Sequence, residues 1–215
     1  QKIVIKKTIE FVKDTLTNAE GGHDWWHIYR VWNLSKHIAH TETVNHFIVE
    51  LGALLHDIAD YKFHDGDEKI GPRTAREFLH SLNVDEDIIN HIENIIANIS
   101  FKGANHIQHF KSPELDVIQD AGRLDAMGAI GIARAFNYGG YKQREIYNPT
   151  IKPNLNRAKE EYKQTKAPTI NHFYEKLLLL KDRMNTKTGK IMANHRHQFM
   201  EKFLDEFYNE WKGQC

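Results

Sequence analysis

The chain has 215 residues, of which 40% are hydrophobic and 27% charged, and its 29 basic and 29 acidic residues give no formal net charge at pH 7. The lack of a basic surplus argues against nucleic-acid binding, and no apolar run reaches the roughly 20 residues that a membrane-spanning helix needs. With no signal-peptide core and a lone cysteine, Cys215, that excludes an internal disulfide, we expect a cytoplasmic protein.

The apolar spacing predicts helices along the first half of the chain. Residues 2–17 place apolar side chains at close to the 3.6-residue period of a helix. Asp24 is a suitable N-cap for a helix that starts at Trp25. The expected helices of this half, after the first, cover residues 25–40, 44–59, 72–82 and 85–99.

The second half is also predicted to be helical, with one irregular stretch. A long helix is expected from Pro113 to Phe136, ended by the glycine pair Gly139–Gly140. Residues 137–168 hold three of the five prolines and are predicted to be a loop-rich insertion. Two helices, 170–184 and 188–212, close the chain, and the aromatic side chains of the last suit either a core or a contact in a homodimer.

No strand-like alternation or internal repeat is evident, so the predicted fold is all-α. We expect one domain over residues 1–215, with a helical core at about 20–136 that precedes the insertion and the C-terminal helices.

Polar side chains interrupt otherwise apolar helical segments. His27 lies in "HDWWHIYRVW", His56 and Asp57 end "GALLHD", and Asp120 and Asp125 lie in "VIQDAGRLDAMG". Burying such groups is costly unless something binds them. Imidazole and carboxylate together suit an octahedral divalent ion better than a tetrahedral thiolate zinc site. A metal site is one interpretation; the other is that each group is satisfied by a nearby backbone carbonyl.

Several longer stretches carry a family resemblance. They are "GHDWWHIYRVW", "ELGALLHDIADYKF", "ENIIANISFKG", "RLDAMGAIGIARAFNYGG", "IYNP" and "KLLLLKDRMNTKTGK". From about residue 20 onward the sequence resembles the HD superfamily of metal-dependent phosphohydrolases, and more closely its small bacterial YedJ/YpgQ-like subgroup. The family pattern H…HD…D implies that His27, His56 and Asp57 bind one divalent ion, with Mn²⁺ favoured over Fe²⁺, Co²⁺ or Mg²⁺.

The sequence departs from the family pattern at the fourth ligand. Gly122 stands where the pattern Ala-Asp-x-Leu would place an aspartate. Water could fill the position and leave a weaker site, or Asp125, on roughly the same helical face, could reach the ion. Asp120 is about 160° away around the helix and is a poorer substitute. Inactivation of the site is the remaining alternative.

The resemblance also implies roles for residues outside the metal ligands. Asp57 and Asp60 would position or deprotonate the attacking water. Substrate phosphates require basic partners, although any one of these side chains could equally be a solvated surface charge. The candidates are Lys102, Arg30, Lys62, Arg123, Lys181 and Lys187.

These features together predict metal-assisted hydrolysis of a small phosphorylated substrate, in which an ion activates water and polarises a phosphoryl oxygen. The subgroup implies nucleotides, with nucleoside triphosphate pyrophosphohydrolysis as the first expectation and a 5′-nucleotidase-like monophosphatase as the second. The departure at Gly122 leaves open a catalytically silent module that binds nucleotides or regulates another protein.

Overall fold

The computed structural model describes residues 1–17, 24–58, 69–99, 110–155 and 167–214. These ranges contain nine α-helices, one 3₁₀ helix and no strand, which confirms the predicted all-α fold. The 3₁₀ helix spans Leu177–Arg183. The α-helices are α1 (Lys2–Thr15), α2 (Trp25–Ala39), α3 (His46–Leu55), α4 (Ile70–Ser81), α5 (Glu86–Ile99), α6 (Pro113–Asp125), α7 (Gly128–Tyr141), α8 (Thr169–Glu175) and α9 (Lys187–Trp211).

None of the helices in these described ranges combines the length and the apolar composition that crossing a membrane would require. The chain divides into two compact units, Gln1–Ala121 and Gly122–Cys215. The expectation of a single domain over the whole chain stays a prediction.

The first unit is built around α3. Eight of the ten residues of this helix are buried, so it is apolar on nearly all sides and serves as a central core element. It packs against α1, α2 and α5, and α5 in turn packs against α4. A Cβ on Gly52 would lie 2.7 Å from the Ile118 side chain, so this glycine lets α3 and α6 approach closely.

Hydrogen bonds fix the start of α3. The Asn45 side chain accepts from the backbone N–H groups of Phe47 and Ile48 and so caps the helix. The Asn45 backbone N–H in turn donates to Glu114 on α6, at 2.9 Å. The start of α3 is therefore tied to the first turn of α6.

The second unit has an aromatic centre. Helix α9 packs against α7 and the 3₁₀ helix, and α8 packs against the same two elements. Phe136, Phe173 and Phe203 contact one another with ring centroids 5.8–6.0 Å apart. Offset and edge-to-face contacts of this kind add to the free energy gained by apolar burial.

The prediction of one long helix over 113–136 is wrong. Helix α6 ends at Asp125 and α7 begins at Gly128. Met127 is extended, and Gly128 has a φ of 69°, a left-handed conformation that glycine adopts at little cost. The apolar spacing continues across the break, so periodicity alone did not reveal it.

The expected stop at Gly139–Gly140 is also wrong, because α7 runs through both glycines to Tyr141. A Cβ on Gly139 would clash with the Thr169 side chain, so this glycine serves the close packing of α8 on α7. The expected helix over 170–184 is divided as well: α8 ends at Glu175 and a 3₁₀ helix follows.

The second unit holds a histidine that resists protonation. Desolvation, aided by the positive charges of Lys176 and Arg144, lowers the pKa of His172 from 6.5 to about 3. Between these two values the unfolded chain binds one proton more at this position than the folded chain does. We therefore expect stability to fall as the pH drops from 6.5 toward 3, by at most about 1.4 kcal/mol per pH unit from this group.

Urea unfolding at pH 7 and pH 5 measures this effect. The His172→Asn variant should lose less stability between the two pH values than the parent chain does. The exposed His37 on α2 provides the control, since His37→Asn should keep the parent's pH dependence. Equal pH dependence in His172→Asn and the parent would contradict the assignment.

Candidate metal centre

The first turn of α2 positions His27. Asp24 is extended and caps the helix, and its side chain accepts a hydrogen bond from the backbone N–H of His27 at 2.9 Å. This confirms the predicted cap. His27 is 7% exposed. The backbone of His27 is therefore held by the cap of α2, and its side chain is one of the candidate metal ligands.

Replacing the cap should destabilise the chain without removing a candidate ligand. We expect Asp24→Ala to lower the free energy of unfolding by about 1 kcal/mol, the usual cost of losing an N-cap carboxylate. Asp14→Ala changes an exposed aspartate near the end of α1 and should alter stability by less than about 0.5 kcal/mol. Denaturant unfolding compares the two, and an unchanged midpoint for Asp24→Ala would show that the cap contributes nothing.

The end of α3 positions the other two residues. The helix was expected to continue to residue 59, but it ends at Leu55, and His56 and Asp57 form the turn that follows. Both side chains are half-buried. Because α3 is a buried core helix, its C-terminal end holds this His-Asp pair at the edge of the core.

A backbone carbonyl selects the proton position of His56. The Nδ1 atom of His56 lies 2.8 Å from the carbonyl oxygen of Ala53. A carbonyl oxygen only accepts, so Nδ1 carries the hydrogen and donates. In the neutral ring, Nε2 then offers a lone pair, which is the arrangement typical of histidines that bind metals. Residue spacing alone offers no direct sign of this contact.

The three side chains converge. One ligand atom from each of His27, His56 and Asp57 lies within 4.8 Å of the other two. The two imidazole rings meet nearly edge to face, with centroids 5.3 Å apart. Donor atoms bound to one ion at about 2.1 Å lie at most about 4.2 Å apart, so small side-chain adjustments would bring all three to a shared ion. The nitrogen and oxygen donors fit a divalent transition metal.

The structure describes the surroundings of the residues considered for the fourth ligand. At Gly122, no described atom beyond its own helical neighbours lies within 4 Å of a Cβ built on the backbone, so a Cβ would meet open space there. Asp125 is 1% exposed and accepts from Arg134 at 2.5 Å. As a metal ligand, Asp125 would have to share or break this ion pair. Asp120 is fully buried on α6.

The predicted phosphate-binding residues lie in different surroundings. Arg30 is half-buried on α2, one turn after His27. In the second unit, Arg123 donates to the carbonyl of Arg183 at 2.6 Å, and Lys181 contacts Nε2 of His197 at 3.2 Å. Lys187 is exposed at the start of α9. Their roles toward phosphate stay predictions.

Three predicted site residues, Asp60, Lys62 and Lys102, lie outside the residues that the structure describes.

The fold is all-α, and two of its helices bring a His-His-Asp group together. The chain is therefore a helical protein with a candidate centre for a divalent metal. The sequence matches the family model described as HD domain over residues 25–127. It is 34% identical over 206 residues to the uncharacterized protein YpgQ of Bacillus subtilis, with 94% of this chain and 91% of that protein covered.

Solved structures of similar proteins agree with the match to the HD domain family. The crystal structure of an HD-superfamily hydrolase from Bacillus thuringiensis is 44% identical, covers 98% of this chain and 97% of its own, and has a TM-score of 0.79. The structure of B. subtilis YpgQ in complex with ADP is 31% identical, covers 96% and 94% of the two chains, and has a TM-score of 0.77. The chain belongs to the HD superfamily, and its similarity to these structures supports a hydrolase.

Proposed function

We propose that the chain is a metal-dependent phosphohydrolase that acts on nucleotides and cleaves nucleoside triphosphates to a monophosphate and pyrophosphate. The observation that carries the proposal is the convergence of His27, His56 and Asp57 at the end of a core helix. The nucleotide part rests on the similarity to YpgQ, whose structure was solved in complex with ADP.

Each residue of the group has a role in this proposal. His27 and His56 contribute neutral nitrogen donors, and Asp57 contributes a carboxylate oxygen. A divalent ion bound there, with Mn²⁺ favoured, would supply Lewis-acid activation of water and of a phosphoryl oxygen. Asp57, together with Asp60, would orient the attacking water and accept its proton. Arg30 would neutralise negative charge that develops on the phosphates.

The departure at Gly122 favours one alternative, a nucleotide-binding or regulatory module without turnover. Three protein ligands rather than four would bind an ion more weakly, and the neighbouring carboxylate Asp125 is already paired with Arg134. The two proposals differ in whether the chain turns over nucleotides when metal is supplied in excess.

Incubation with Mn²⁺ and a panel of nucleoside mono- and triphosphates, with products identified by mass, tests the proposal. Monophosphate and pyrophosphate would support it. Nucleoside and inorganic phosphate from a monophosphate would indicate a 5′-nucleotidase-like activity instead. Saturable nucleotide binding without any product would favour the silent module, and neither binding nor product would reject nucleotides as ligands.

A further inference from the structure

Beside the candidate metal centre, α2 carries a continuous row of aromatic rings, which we call the α2 aromatic strip: Trp25, Trp26, Tyr29 and Trp32. Tyr29 contacts all three tryptophans, with centroid distances of 6.0, 5.9 and 6.4 Å. The Trp32 ring is held in place by a hydrogen bond, which its Nε1 donates to Glu50 on α3 at 3.0 Å. The strip is therefore a supported surface rather than a set of isolated side chains.

The middle of the strip is open to solvent. Trp26 is 61% exposed and Tyr29 is 42% exposed. The two rings are nearly perpendicular, at 82°, so they meet edge to face and Tyr29 covers at most one face of the Trp26 ring. A large indole in this position forgoes the free energy of burial, so core packing does not explain it.

The position of Trp26 relative to the candidate ligands is fixed by the chain itself. Trp26 directly precedes His27, so their Cα atoms are about 3.8 Å apart, and their side chains diverge by about 100° around the helix. A phosphate group held beside His27 would leave the rest of a nucleotide within reach of the neighbouring indole.

Positive charges border the strip. Lys13 lies over the Trp25 ring at 4.8 Å, and Lys36 lies over the Trp32 ring at 3.7 Å. Around the rings, α2 also carries the half-buried Asn33 and Lys36 and the exposed His37, and it has no exposed aliphatic side chain. Flat rings with cations beside them suit a planar, anionic ligand better than the interlocking aliphatic side chains of a helix–helix contact.

We propose that Trp26 is a specificity-determining residue that stacks against the base of the nucleotide whose phosphates are held at the His27, His56 and Asp57 group. This inference rests on the proposed function and deepens it, because it assigns the substrate's base to a surface that the metal site does not use. Stacking is tolerant of base identity, since every base presents a π-face. The site would therefore distinguish nucleotides from small phosphates but discriminate weakly among bases.

Kinetics of Trp26 variants with Mn²⁺ and ATP test the stacking, with inorganic tripolyphosphate as a competitor that has no base. Trp26→Ala should raise KM for ATP about tenfold, a typical effect of losing one aromatic stacking partner, and leave kcat within about twofold. Trp26→Phe should restore most of the affinity. The inhibition constant of tripolyphosphate should be the same in all variants, because tripolyphosphate has nothing to stack.

A binding measurement separates this inference from the proposed hydrolysis. ATP should quench the intrinsic tryptophan fluorescence in a saturable way, and Trp26→Phe should lose most of that quenching. The matched control is Trp211→Phe, which changes the comparably exposed Trp211 on α9 and should keep the quenching. Trp26-dependent quenching without hydrolysis would support the stacking and reject the proposed turnover.

The opposite results overturn the stacking. One such result is an unchanged KM for ATP in Trp26→Ala. The other is an increase in the inhibition constant of tripolyphosphate equal to the increase in the KM for ATP. A shift in oligomeric state by light scattering in Trp26→Ala, with nucleotide binding intact, would assign the strip to a contact between copies instead.

Discussion

The His56→Ala variant should lose its divalent metal and at least about 100-fold in kcat/KM, which corresponds to about 2.7 kcal/mol of transition-state stabilisation. His56 is one of only three donors that the described residues bring together, and its Nε2 lone pair is already presented by the contact with Ala53. Removing it leaves two protein ligands, too few to hold an ion against water. Metal content by mass spectrometry and hydrolysis rates with Mn²⁺ measure the two losses.

The control for this variant lies on the same helix. His46 is the exposed first residue of α3, and His46→Ala should retain both metal and activity. Treatment of the parent chain with a chelator should reproduce the loss seen in His56→Ala, and added Mn²⁺ should restore the parent alone. Full metal occupancy and full turnover in His56→Ala would reject the assigned centre.

Gly122→Asp should have the opposite effect and tighten Mn²⁺ binding by about tenfold or more, with a rise in turnover at limiting metal. The resemblance implies a ligand carboxylate at this position, and the space for a Cβ at Gly122 is open. A fourth ligand, anionic and of the preferred oxygen type, strengthens a site for a hard or borderline ion. The change should also stabilise α6 by a few tenths of a kcal/mol, because glycine is a poor helix former.

Gly122→Asn is the matched control for this prediction. Asparagine has nearly the same size and helix propensity as aspartate but brings no charge. It should give the small gain in stability without the gain in metal affinity. Equal metal binding by the two variants would show that the carboxylate does not reach an ion, and activity found only in Gly122→Asp would favour the silent-module alternative for the parent chain.

Most of the helices were predictable because their apolar faces repeat regularly. Helices α1, α2, α4 and α5 begin and end within two residues of the predicted bounds. The break between α6 and α7 was not predictable from periodicity, since "LDAMGAIG" keeps its apolar spacing while Gly128 adopts a left-handed φ. The glycine pair at 139–140 predicted a helix end where the helix in fact continues. Gly139 is required by the close contact with Thr169 and not by a turn.

The residues of the candidate site were predictable from the sequence, but contacts that only the structure shows were not. The spacing of His27 and the His56–Asp57 pair, together with the family resemblance, singled out the three side chains that the structure brings together. Two contacts depend on the three-dimensional structure: that of His56 with the carbonyl of Ala53 and, within the second unit, the ion pair of Asp125 with Arg134. No spacing rule in the sequence encodes them.

The hydrogen bond between His56 and Ala53 has a consequence for how quickly and how tightly an ion is captured. The imidazole ring of His56 already loses its rotational freedom when α3 folds. The entropy lost in orienting this ligand is therefore part of the free energy of folding and not of metal binding. Such preorganisation lets a site with few ligands compete for a scarce ion, and it couples the two processes: loosening the end of α3 would weaken metal capture even with every ligand side chain still in place.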